Sequence, residues 1–271
     1  MIGNRMRENL VERRGEAWRP PLMSASQGPA ARFLACARRW FDLQAGSIWS
    51  DLKPELARAS GKVLDVGCGA QPYRCLLPEG ADYSGIDTID AKAHFGYEMP
   101  NTLYYSGDTL PLADAAVDVL LLTETLEHVF NVKGFLAEAR RCLRPGGRVI
   151  MTVPFSARWH FIPYDYWRFT PSCLNRLLEA AGFDLIVVSA RGNAVTVACY
   201  KVMALMLPFL FPTSEGVLIR LARRAAGLLI SPLFAFSAVV ANVSLRFPGG
   251  DDCLGYTVTA CASRAGRANS A

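Results

Sequence analysis

The sequence has eight cysteines but neither a CxxC pair nor a cysteine cluster with metal-ligand spacing, so no metal centre is expected from it. Scattered singly, the cysteines read as reduced core side chains of a cytosolic protein. Histidine is scarce too: only His94, His128 and His160 are present. Acid is nearly absent from one stretch, since residues 191–246 hold six Lys or Arg against one acid, whereas residues 61–190 hold eleven against fifteen. The formal charge of +5 therefore arises outside a net acidic centre, a distribution that suits an anionic lipid surface better than nucleic acid because the basic stretch is also the most apolar. The first thirty residues, broken by arginines, glutamates and three prolines, do not read as a secretory signal. No internal repeat or long low-complexity tract interrupts the 271 residues, a length that suits one α/β domain with additions.

The most informative absence is a single glycine. Val63-Leu64-Asp65-Val66-Gly67-Cys68-Gly69 reads as a buried first strand that empties into a tight loop, where missing Cβ atoms let a nucleotide-like ligand approach the backbone. A dinucleotide fingerprint would place a third glycine three positions after Gly69, but the loop continues Ala70-Gln71-Pro72. That weakens an NAD-dependent oxidoreductase as an alternative. A second strand over 81–87 ends in Asp87, where a carboxylate can accept from ribose hydroxyls. Tyr104 to Leu112 supplies a third strand and loop, Val117 to Leu122 a fourth strand, and Leu143 to Pro154 a helix end, a Pro-Gly-Gly turn and a fifth strand.

Taken together, these spaced motifs resemble the class I S-adenosylmethionine (SAM) dependent methyltransferases, type 11 subgroup, over more than half of the chain. The resemblance implies a doubly wound, seven-stranded, mostly parallel sheet with SAM as cofactor. It implies that Asp65, Gly67, Cys68 and Gly69 lie at the methionine part, Asp87 at the ribose, Asp108, Thr109 and Leu110 at the adenine, and Glu124 beside the sulfonium. Cys68 is read as packing in that loop rather than as a nucleophile. The implied activity is methyl transfer to an oxygen or nitrogen of a small, glycan or lipid-linked acceptor; a non-catalytic SAM-binding module that recruits a membrane partner is the alternative from another class.

Around that core, residues 1–58 are expected to form a loose segment and a helix that covers the SAM pocket, with Phe33, Leu34, Trp40 and Phe41 among the residues available to pack. Residues 59–263 form the catalytic domain, and 264–271 a disordered tail. About sixty residues separate the sixth and seventh strands, far beyond ordinary connections, so 194–246 is a hydrophobic helical insert between the last two strands. Either of its apolar stretches, 194–212 or 225–245, could span a bilayer by length. Arg220, Arg223 and Arg224 lie between them, and a spanning hairpin would carry these to the wrong side. A helix pair lying in the cytoplasmic interface, or a soluble lid or homodimer face, fits instead.

The acceptor pocket is expected from His160-Phe161-Ile162-Pro163-Tyr164-Asp165-Tyr166-Trp167-Arg168-Phe169-Thr170. Tyr164, Asp165, Tyr166 and Arg168 are the substrate candidates. An oxygen acceptor must lose a proton near the moment of attack, which makes His160 and His128 the candidate bases by type.

Overall fold

The computed structural model describes residues 28–96, 98–107, 109–212, 216–247, 249 and 251–264. The expectations for residues 1–27, for 265–271 and for Asp108 lie outside them.

Two helices lead the chain, α1 (Pro29–Phe41) and α2 (Leu43–Leu56). The sequence suggests one continuous helix here; Asp42 breaks it, in extended geometry, and its side chain accepts from the Ala45 amide to cap α2. α2 buries Leu43, Ile48, Leu52 and Leu56, but α1 buries nothing fully. Phe33 and Leu34 are 72% and 67% exposed, contrary to their expected role in packing.

Seven strands follow: β1 (Lys62–Val66), β2 (Asp82–Thr88), β3 (Thr102–Tyr105), β4 (Val117–Thr123), β5 (Leu143–Pro154), β6 (Phe183–Arg191) and β7 (Gly255–Ala262). They form one sheet in the order β3-β2-β1-β4-β5-β7-β6, parallel except for β7, which runs antiparallel to both neighbours. Alternation along the strands explains the central position of β1 and β4. Val63, Val119 and Leu121 point to α2, while Leu64, Val66, Leu120 and Leu122 point to the cluster on the other face. Strands apolar on both sides must be covered on both sides. The connection reverses direction between β1 and β4, and ligands of doubly wound sheets bind at that point, off the carboxyl ends of the strands.

Three short helices complete the core: α3 (Ile89–Phe95), α4 (Val132–Cys142) and α5 (Pro171–Ala180). Helix α4 passes directly into β5, whose Leu143 already pairs with Val117; the expected Pro-Gly-Gly turn is an irregularity within the strand, after which pairing resumes at Arg148. In α5 the Thr170 hydroxyl caps the Cys173 amide, Pro171 opens the helix, and Leu174 and Leu178 are buried.

The insert is a helical hairpin, α6 (Ala194–Leu210) and α7 (Val217–Ser244). Asn193 closes its base: the side chain caps α6 in a capping box with Thr196 and donates to Ser244 O and Phe247 O at 3.0 and 2.7 Å. Cys36, Cys75 and Cys173 are exposed, so the cysteines are not all core residues as their scatter suggests, although all eight are free.

Candidate active site

A cavity of about 1760 Å³ opens at the carboxyl ends of β1 and β4. Its floor is the β1 loop. Gly67 has φ 71°, and a Cβ there would come within 2.6 Å of Thr125 Oγ1, a hydroxyl that itself donates to Val66 O. The Gly69 amide donates to Asp87 Oδ2 at 3.0 Å, so the loop is pinned to the end of β2. Asp65 lies beneath. The residue borders the cavity; its Oδ2 accepts from the Tyr83 hydroxyl at 2.8 Å, and its buried Oδ1 has no hydrogen-bond partner among the described residues. Burial pushes the Asp65 carboxyl up to about 7, the Tyr83 hydrogen bond opposing and the Asp87 charge adding to the rise. Burial likewise pushes the Cys68 thiol up to about 12, which leaves it a packing side chain.

Glu124 follows β4 with φ 50°, uncommon for a residue with a Cβ, and borders the cavity. Its partner has no local signature: Arg191, fully buried at the end of β6, donates to Glu124 Oε1 at 2.9 Å. On the β3 side the cavity is lined by Tyr105 and Gly107. Thr109 and Leu110, expected at the adenine, do not border it. Thr109 is exposed, and Leu110 sits in the core with its amide given to Glu138.

The aromatic segment folds back over the short turn Leu126–His128 that follows β4. His128, His160, Phe161 and Tyr164 border the cavity. Asp165, Tyr166 and Arg168 do not: the Asp165 side chain is 1% exposed and accepts from Arg168 at 2.6 and 2.8 Å and from the His160 amide at 3.0 Å, while Tyr166 packs edge-on against Phe130. Asp165 and Arg168 therefore tie the segment down.

The two histidines that sequence reasoning treats as separate base candidates stand edge to face, ring centres 4.9 Å apart, with Glu127 behind them. Glu127 Oε1 lies 3.6 Å from His128 Nε2 and 3.9 Å from His160 Nε2. Burial, then the charge of Glu124, raises the Glu127 carboxyl well above the ordinary range. Burial and then the His160 charge bring His128 down to about 4; burial also pulls on His160, but its hydrogen bonds to Asp165 and Arg158 O outweigh that and the net shift is upward. No spacing rule joins positions 127 and 160; only the fold does.

Residues 64–151, from β1 to β5, match the family model described as a methyltransferase domain. The chain carries a class I SAM-dependent methyltransferase domain of type 11. Similar proteins include a probable S-adenosylmethionine-dependent methyltransferase of Mycolicibacterium smegmatis, 31% identical over 47% of this chain and 54% of that protein. A demethylmenaquinone methyltransferase of Tropheryma whipplei is 31% identical over 46% of this chain and 55% of its own length. A ubiquinone biosynthesis O-methyltransferase of Azorhizobium caulinodans is 29% identical over 46% and 59%. The chain thus spans little more than half the length of these relatives. SAM is the cofactor of this methyltransferase domain, and the residues present fit it: an unpartnered buried carboxylate oxygen at Asp65 suits an ammonium group.

Proposed function

We propose that the enzyme transfers the SAM methyl group to an oxygen on the polar head of an acceptor whose apolar tail lies along the cavity, and that it meets this acceptor at the cytoplasmic face of a membrane. One observation carries the reading: the cavity that begins at Gly67 and Asp87 continues past Tyr200 and Met203 to Leu207, Leu210 and Phe234 in the hairpin. A small polar acceptor needs no such extension.

The hairpin surface supports the second half of the reading. Helix α7 turns Gly227, Ser237, Ala238, Ala241 and Ser244 inward, while Leu218, Leu228, Leu229, Phe236 and Val243 are 49–82% exposed. That is the reverse of a soluble helix, whose large apolar side chains face the core. Arg220, Arg223 and Arg224 stand on its first turns, and the helix contains no acid, which complements anionic headgroups. With 28 residues α7 is long and apolar enough to cross a bilayer. Its arginines, near the hairpin tip, argue for lying in the interface instead. Two of the relatives bear names from quinone biosynthesis, in keeping with an apolar acceptor.

SAM supplies an electrophilic methyl carbon on a sulfonium. The chain's part is to align the acceptor oxygen in line with it, to exclude water, and to take the acceptor proton toward the cluster of His128, His160 and Glu127. Incubation with methyl-labelled SAM and a total membrane extract tests the proposal. Label should enter an organic-soluble, alkali-stable ether; label confined to water-soluble products, or none transferred, would overturn it.

A further inference from the structure

Glu127, His128 and His160 converge on one point in the cavity wall, and we propose that they hold a single divalent transition-metal ion of the zinc class through Glu127 Oε1, His128 Nε2 and His160 Nε2, with a further coordination position open to the cavity.

The tautomers follow from the partners. His128 Nδ1 lies 2.9 Å from Tyr164 O, which can only accept, so Nδ1 carries the proton and Nε2 its lone pair. His160 Nδ1 lies 2.9 Å from Arg158 O and 3.1 Å from Asp165 Oδ2, acceptors again, with the same consequence. Both Nε2 lone pairs thus face a carboxylate that is 0% exposed and whose two oxygens have no hydrogen-bond partner among the described residues. Three electron-pair donors meet with nothing positive between them, and the 3.6 and 3.9 Å separations are too long for a shared proton to form a good hydrogen bond.

A cation resolves the arrangement. The three ligand atoms lie within 4.8 Å of one another. Zinc bonds of about 2.1 Å at tetrahedral angles set ligand atoms roughly 3.4 Å apart, so binding requires a small inward shift. His160, with its side chain 36% exposed, has room for it. Two imidazoles, one carboxylate and an open position form the donor set of catalytic zinc sites, and imidazole nitrogens select zinc-like metals over magnesium or calcium. The surroundings match as well. Each histidine gives its other N–H to a carbonyl or carboxylate, and Asp165, behind His160, is itself held by Arg168. Such a metal would take the acceptor's hydroxyl at its open position and lower its pKa, so that the proton passes to water in the cavity rather than to the ligating side chains; the oxygen then bonds the methyl carbon as the carbon–sulfur bond breaks and the sulfonium leaves as a neutral thioether, which favours a phenol or enol as the methylated group. That use rests on the proposed methyl transfer; the binding of metal does not.

The test uses the full chain with Cys36, Cys75 and Cys173 replaced by Ser, so that exposed thiols do not compete, and stripped with a chelator. Calorimetric titration with Zn²⁺ and visible spectra with Co²⁺ should show one equivalent, d–d bands without thiolate charge transfer, and a rise in Tm. His160→Ala should weaken binding by more than about tenfold and abolish the Tm rise, and Asp165→Asn should weaken it by about 10–100-fold. SAM binding by each variant reports folding and tests the cofactor assignment separately. Absence of stoichiometric binding by the parent, or equal affinity in a folded His160→Ala variant, would overturn the proposal.

Discussion

Arg191 and Glu124, 67 positions apart in sequence, form an ion pair of 2.9 Å at the centre of the domain. The same guanidinium donates to Val153 O at 3.1 Å and to Ser47 Oγ at 3.4 Å, so one side chain joins the ends of β4, β5 and β6 to α2. It holds Glu124, with its φ of 50°, in the wall of the cavity.

Arg191→Met should therefore damage both stability and cofactor binding. Removing one partner of a buried pair costs about 3 kcal/mol at the lower end, appropriate here because Glu124 is 24% exposed, and for a domain of this size that lowers Tm by roughly 10 °C. Calorimetric SAM affinity should fall with it. An unchanged Tm would show that the pair is incidental.

The succession of strands along the chain and the glycine loop after β1 were readable because they rest on local signals: apolar runs on β1, β4 and β5, glycines where φ is positive, and acids at the ends of β1 and β2. Arg191 was not, since a lone arginine at the end of an amphipathic strand has no local signature. The grouping of Glu127 with His160 was hidden for the same reason. Leu110 shows the opposite error. It sits beside the ligand loop in sequence, yet the apolar side chain is drawn into the core at 1% exposure while its amide is taken by Glu138.

Gly67→Ala should abolish SAM binding without unfolding the protein. A left-handed conformation costs a non-glycine residue about 1–2 kcal/mol, and the new methyl would also press on Thr125 at 2.6 Å. Gly96 separates the two effects, for it shares a positive φ of 68° but has nothing within 4 Å of its Cβ position. Gly96→Ala should lose about 1 kcal/mol of stability and keep its SAM affinity. Equal SAM affinities in the two variants would show that the loop does not touch the cofactor.

Asp65 predicts a pH dependence of defined sign. Its carboxyl rises from 3.8 to about 7 on folding, so its favourable contribution is complete below about 4 and is lost as pH climbs toward 7, where the buried group must ionise. Asp65→Asn cannot ionise, and its unfolding free energy should gain on the parent as pH goes from 5 to 8. SAM binding should show the reverse trend, because only the ionised parent pairs with an ammonium group: the affinity ratio of parent to Asp65→Asn should grow over the same range. Calorimetry at pH 5.5 and 8 decides it, and a constant ratio would remove Asp65 from the amino-group site.

Membrane association makes the sharpest demand on α7. Leu228 and Leu229 are 77% and 82% exposed and touch neither the SAM loop nor the cavity, so Leu228→Asp with Leu229→Asp should leave folding and SAM affinity unchanged. Burying two leucines in the interface is worth about 1.5–3 kcal/mol each, and two carboxylates beside anionic headgroups add repulsion, so sedimentation with phosphatidylglycerol vesicles should fall by more than tenfold. Arg220, Arg223 and Arg224 give an independent handle, since replacing all three with Gln should remove the preference for anionic over zwitterionic vesicles while leaving some apolar attachment. If the two Asp substitutions leave sedimentation intact but abolish a concentration-dependent dimer, the exposed stripe is the face of a second copy and the lipid reading fails.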